Sequence, residues 1–99
     1  MVEIKWTAFA IENLNDIGDY IEKDSFHYAK IVVNSLFDSA EILECHPLAG
    51  RIVPEFEDNN IRELIRGSYR VVYWVLNENQ IDILTVHHSA RLLTDLPNI

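Results

Sequence analysis

Ile61-Arg-Glu-Leu-Ile-Arg-Gly-Ser-Tyr-Arg-Val-Val-Tyr-Trp-Val-Leu-Asn-Glu-Asn-Gln-Ile-Asp-Ile-Leu-Thr-Val-His-His-Ser-Ala-Arg-Leu-Leu93 decides the fold. It contains three strand-like runs and two turn signals. Gly67-Ser68 suits a two-residue hairpin, and Asn77-Glu78-Asn79-Gln80 reverses the chain between residues 69–76 and 81–88. The same stretch holds Arg62, Arg66, Arg70 and Arg91, four of the eight basic side chains in a chain of formal charge -8, and the adjacent pair His87-His88. Function is therefore sought first on this sheet.

Working outward, Val2, Ile4 and Trp6 alternate with Glu3 and Lys5, the period of a half-buried strand. Thr7 is placed to cap a helix in which Ala10, Ile11, Leu14, Ile17 and Ile21 form an apolar stripe, with Glu12, Asn13, Asp16 and Asp19 toward solvent. Asp24-Ser25 breaks and recaps the chain. From 26 to 45, Ala29, Val32, Val33, Leu36, Phe37, Ala40 and Leu43 trace a second stripe, which predicts one helix of nearly five turns. His46-Pro47 stops it, and a loop with Gly50, Pro54 and the acidic residues Glu55, Glu57 and Asp58 leads to Asn60. Two apolar stripes joined by a short connection must pack antiparallel and against a third layer. The predicted class is α+β: an N-terminal strand and an antiparallel helical hairpin packed on a mainly antiparallel sheet of about four strands, forming a single domain over 1–99.

The totals narrow the function. Ninety-nine residues are enough for one core and too few for a separate cofactor domain. With 48% hydrophobic and 24% charged residues the composition is that of a globular chain. Sixteen acidic against eight basic residues oppose generic attraction to phosphate backbones or anionic membranes. The lone Cys45 excludes an internal disulfide, and neither a leader nor an apolar run near twenty residues is evident. A cytoplasmic protein without cofactor or membrane association is the simplest expectation.

Turn geometry sets the expected register. A two-residue turn at Gly67-Ser68 pairs Ile65 with Arg70 and Glu63 with Val72; a turn centred on Glu78-Asn79 pairs Leu76 with Ile81, Val72 with Thr85 and Arg70 with His87. One face would then carry Glu63, Arg70, Thr85 and His87, with Trp74, Leu76, Ile81 and Ile83 beyond. The other would carry Leu64, Tyr69, Val71, Tyr73, Val75, Leu84, Val86 and His88. The helices can cover one face, and Val71, Leu84 and Val86 mark the better one. Trp74, Leu76, Ile81 and Ile83 would remain open to a partner chain.

At several fixed points the sequence resembles the RelE/ParE superfamily of type II toxin-antitoxin toxins. These are Ile4-x-Trp6; Tyr20-Ile21 followed by Asp24-Ser25 and Ala29; Pro47-x-x-Gly50-Arg51-x-x-Pro54-Glu55; Ile61-Arg62-Glu63-Leu64; Tyr69-Arg70-Val71-Val72-Tyr73; and Val86-x-His88-x-Ala90-Arg91. The resemblance spans residues 4–93. It implies a small bacterial toxin neutralised by an antitoxin that wraps the sheet and helical hairpin in a hetero-oligomer. It further implies one of two activities, ribosome-dependent messenger-RNA cleavage in RelE-like members or DNA gyrase inhibition in ParE-like members.

RNA cleavage through a 2'-hydroxyl needs a base, cations for the developing phosphorane charge and an acid for the leaving oxygen. Glu63 or Glu55 could be the base, Arg70 with Arg62 or Arg66 the cations, and His87 the acid. In RelE-like enzymes the arginine of the Tyr-Arg motif contacts phosphate, which the resemblance transfers to Arg70. Those enzymes, however, resemble strongly basic proteins with a late tyrosine, whereas this chain has no lysine after Lys30 and no tyrosine after Tyr73. The loop and the C-terminal motif look more like ParE. On that branch Arg62, Arg66 and Arg91, with residues 92–99, are the candidate target contacts, and DNA gyrase is the expected partner; the ribosome and its message are the alternative.

Structural roles compete for the same residues. Arg62, Arg66 and Arg70 could neutralise Glu63, Glu55 and Asp82 across strands, and Arg51 could anchor the loop through Glu55. Because neighbouring strand residues face opposite ways, one of the two histidines, with His88 favoured, should point inward as a hydrogen-bonded core residue. For the same reason the pair makes a poor metal site. Trp74 reads as a core or interface aromatic rather than a base-stacking platform.

Overall fold

The computed structural model describes residues 1–89. Strand β1 (Glu3–Trp6) leads to helices α1 (Ala8–Glu22) and α2 (Phe26–Asp38), and a 3-10 helix (Ser39–Glu44) continues from α2. Strands β2 (Arg51–Ile52), β3 (Ile61–Arg66), β4 (Tyr69–Asn77) and β5 (Gln80–His88) follow, in the sheet order β1-β5-β4-β3-β2. The class is the predicted one. A fifth, two-residue strand, β2, is added from the stretch read as loop. Only β1 runs parallel to its neighbour, β5; the other pairings are antiparallel.

Local chemistry sets the helix boundaries. Thr7 Oγ1 accepts from the Ala10 amide at 3.2 Å while its hydroxyl donates to the Ile83 carbonyl at 2.8 Å, so the cap of α1 is also pinned to β5. Ser25 Oγ caps α2 by accepting from the Tyr28 amide. The long helix expected to Cys45 instead ends at Asp38, where the Ser39 hydroxyl donates to the Leu36 carbonyl at 2.6 Å and competes with regular helical bonding. The chain tightens to 3-10 geometry and the stripe survives, with Ala40 and Leu43 buried. Asn13, expected toward solvent, is drawn in: its Oδ1 accepts from the Val86 amide and the Thr85 hydroxyl. It thereby caps the part of β5 that extends past the end of β1.

The first hairpin has the expected register, Ile65 opposite Arg70 and Glu63 opposite Val72, with Gly67 at a φ of 58° in the turn. The second begins as expected, Arg70 with His87 and Val72 with Thr85, and then slips twice. Leu84 is an extra residue on β5 and Leu76 an extra residue on β4. Between these two irregularities Val75, not Leu76, lies opposite Ile81, and Tyr73 lies opposite Ile83.

A one-residue slip reverses which face a side chain occupies. Ile81 and Ile83, expected on the open face, instead join Val71, Tyr73 and Leu64 beneath Ala10, Leu14, Leu36 and Leu43, and both are fully buried. Leu84, expected under the helices, moves to the opposite face with Val53, Ile61 and Val72, where Phe56 and Trp74 pack against it. The second face is therefore covered by the segment after β2 rather than left open. Burying a large aliphatic side chain is favourable by about 1.5–3 kcal/mol, and the slips put three such residues into cores.

Candidate functional site

Four charged side chains meet on the loop-covered face. Arg51, Glu63 and Arg70 come from β2, β3 and β4, and Glu55 from the loop that follows β2. Glu63 is 1% exposed, and each of its carboxylate oxygens accepts from a guanidinium, Oε1 from Arg70 Nε and Oε2 from Arg51 Nε. Arg70, itself 5% exposed, donates its two terminal nitrogens to Glu55, NH1 to Oε2 at 2.8 Å and NH2 to Oε1 at 2.7 Å. This bidentate fork is the strong geometry for a guanidinium and a carboxylate. The Glu55 hydrogen bonds are the largest influence on Arg70 and, with those of Glu63, hold its pKa above the ordinary arginine value against the opposing effect of burial. Among the described residues the cluster holds two cations and two anions.

A second set of bonds fixes the segment that leads into β2. The Tyr73 hydroxyl donates to the Pro47 carbonyl and accepts from the Gly50 amide, both at 2.9 Å. Burial raises the Tyr73 pKa, and the Gly50 hydrogen bond and the charge of Arg62 oppose that rise. Gly50 has no room for a side chain, because a Cβ would lie 2.5 Å from the Glu63 carbonyl oxygen and 2.8 Å from the Tyr73 ring. Arg62 donates to the carbonyls of Gly50 and Asn59, each at 2.9 Å, and so ties the two ends of the loop together.

Residues 4–93 match the family model of the ParE toxin of type II toxin-antitoxin systems (parDE). The chain belongs to the ParE toxin family. It is 31% identical over 88 residues to Y4kP of Sinorhizobium fredii, a match covering 89% of this chain and 88% of that one. It is also 28% identical over 92 residues to Toxin RelE2 of Caulobacter vibrioides, covering 93% of this chain and all of the relative. A chain of the chromosomal ParDE system from P. aeruginosa shares the fold with a TM-score of 0.71 at 23% identity, covering 89% of this chain and 96% of that one.

The toxin's predicted site residues are only partly brought together. Glu63, Arg70 and His87 share a face, with His87 opposite Arg70 across β4 and β5. His88, expected inward, is exposed and lies edge-on to the Tyr69 ring at 5.6 Å. Arg62 anchors the loop while remaining partly exposed, and Arg66 donates to the Ile65 carbonyl at 2.8 Å. Of the four residues expected on an open face, Ile81 and Ile83 are core; Trp74 is partly buried and Leu76 is 38% exposed. Arg91 and residues 92–99 lie outside the described residues.

Sequence reasoning paired Arg51 with Glu55, whereas the toxin pairs Arg51 with Glu63 and gives Glu55 to Arg70. It also missed the Tyr73–Gly50–Pro47 clasp. The spacing Pro47-x-x-Gly50 was the available signal, but it does not reveal which strand residue approaches the glycine. Among the described residues, no helix is long and apolar enough to cross a membrane.

Proposed function

We propose that this toxin arrests growth by binding DNA gyrase, without catalysis of its own, and is held inactive by a cognate antitoxin. The observation that carries this reading is the ion-pair cluster that holds Arg70. A ribonuclease would need Arg70 presented to a phosphate and a carboxylate able to take a proton. Here Arg70 is buried and committed to Glu55 and Glu63, and both Glu63 oxygens are engaged by guanidinium groups. The net charge of -8 further disfavours docking among ribosomal phosphates. Arg62, Arg66 and Arg91 are the proposed gyrase contacts, and Trp74 and Leu76 the proposed antitoxin contacts. Purified toxin should inhibit supercoiling by gyrase, and added antitoxin should restore it. Undiminished supercoiling at large molar excess of toxin would refute the proposal.

A ribosome-dependent RNA cleavage is the second reading, favoured by the relative named Toxin RelE2 and by the position of His87 opposite Arg70. It requires new message ends on translating ribosomes that disappear in His87→Ala. Intact message during growth arrest excludes it.

A further inference from the structure

The outer face of α2 carries its charges in the order its own helix disfavours. His27 and Lys30 lie in the first two turns and Asp38 ends the helix, with no acidic side chain in the first turn and no basic one in the last. Glu41 follows Asp38 on the same side, because residues three apart eclipse in the 3-10 segment that continues from α2. A helix dipole favours carboxylates at the N-terminus and cations at the C-terminus, so both ends of this face run against it. His27, Lys30, Asp38 and Glu41 are exposed, and among the described residues none of them forms a salt bridge. A local rule broken with no compensating contact among these residues points outside the chain.

The pattern is symmetric about Asn34. At 3.6 residues per turn, Lys30, Ile31, Asn34, Phe37 and Asp38 fall within an arc of about 120°, opposite the buried Ala29 and Leu36. Lys30 and Asp38 lie four residues to either side of Asn34, about 6 Å along the axis, and Ile31 and Phe37 lie three. Ile31 is 50% and Phe37 47% exposed, so the middle of the face is apolar as well as charged. A second copy laid antiparallel across Asn34 would meet this face in complementary order: Lys30 level with Asp38, His27 with Glu41 and Ile31 with Phe37, each pair occurring twice. Asn34 would face its own copy, and a polar residue at such a centre fixes register. Self-complementarity of this kind is what a twofold contact requires. The net charge of -8 opposes association at long range, but salt screens it beyond about 8 Å at physiological ionic strength, while pairs in contact persist.

We propose that the toxin forms an antiparallel twofold dimer through α2, centred on Asn34, with Lys30 of each copy paired to Asp38 of the other. One helix face per copy is small against the roughly 1,200 Å² of a standard interface, so the dimer should be weak, with a dissociation constant of about 100 µM. Gyrase plays no part in this contact or in its test, so the supercoiling assay is read separately. Full-length toxin, free of antitoxin, is followed by sedimentation equilibrium at physiological ionic strength, up to about ten times that concentration. The parent should show a monomer-dimer equilibrium. K30D and D38K, which set like charges level with each other, should each dimerise about tenfold or more weakly. Mixed in equal amounts, the two should form a mixed dimer about as tight as the parent's, because each reversal then meets the other across the seam. Lys30 also borders Asp19 and Glu22 across the groove between α1 and α2. Should K30D fail to fold for that reason, N34D mixed with N34K repeats the test at the centre of the face.

A parent that stays monomeric throughout, single variants that dimerise as well as the parent, or a mixture no tighter than either variant alone would overturn the proposal. So would a monomeric parent whose affinity for antitoxin falls in D38K, which would give the face to the antitoxin instead.

Discussion

The two faces of this sheet are buried by different physics. Under the helices, Val71, Tyr73, Ile81 and Ile83 meet Ala10, Leu14, Leu36 and Leu43 in an apolar layer. Under the loop, a small cluster of Val53, Ile61, Val72 and Leu84 adjoins the Arg51–Glu63–Arg70–Glu55 network, and Arg62 holds the loop through the Gly50 and Asn59 carbonyls. An apolar layer tolerates truncation in proportion to the volume lost. A buried ionic network fails as a unit, because removing one member leaves another charge without compensation.

Arg70→Ala should therefore be the most damaging single change, costing about 3–5 kcal/mol in chemical denaturation by removing the buried guanidinium from between Glu63 Oε1 and Glu55. Replacing the network together, with Arg70→Met, Glu63→Leu and Glu55→Leu, should recover most of that loss. A triple variant no more stable than Arg70→Ala would show that packing, not charge, governs the loop-covered face. Ile83→Ala, on the helix face, should cost about 3 kcal/mol through the cavity it leaves. A loss below 1 kcal/mol would place Ile83 outside the core and undo the slipped register. Gly50→Ala should cost about 2 kcal/mol, because a methyl cannot fit between the Glu63 carbonyl and the Tyr73 ring. An unaltered melting temperature would contradict that close approach.

Tyr73→Phe is the mildest change, at about 1 kcal/mol for the lost hydroxyl bonds. It also carries a pH signature. Burial raises the Tyr73 pKa in the folded chain, so the neutral phenol is the form the fold stabilises. That contribution is fully present below the ordinary tyrosine pKa and is lost as pH rises through the ordinary value toward the raised one. Parent stability should fall in that alkaline range more steeply than that of Tyr73→Phe. Parallel pH profiles would remove Tyr73 from the clasp.

The two hairpins show how far the sequence could be read. Gly67-Ser68 fixed the β3–β4 register because a two-residue turn leaves no freedom, and Ile65–Arg70 and Glu63–Val72 follow directly. The four polar residues 77–80 left the β4–β5 register to be decided by burial. Alternation alone put Ile81 and Ile83 beside Arg70; the slips at Leu84 and Leu76 moved them under the helices. Glu63, Arg70 and His87 were legible as neighbours because they lie on the unslipped side of those irregularities. Arg70 was legible as a neutralising partner of Glu63 and Glu55, whereas the pairing of Arg51 with Glu63 rather than Glu55 depends on where the loop crosses the sheet.

The sequence by itself determined the α+β class, the order of elements, the first hairpin and membership in a toxin family, since each rests on local periodicity, turn chemistry or motif spacing. The tertiary structure decided which face each late strand residue occupies and where the loop places Glu55 and Arg51 on the sheet. Those outcomes follow from competition for burial and from charge contacts between segments distant in the chain, which no local pattern encodes.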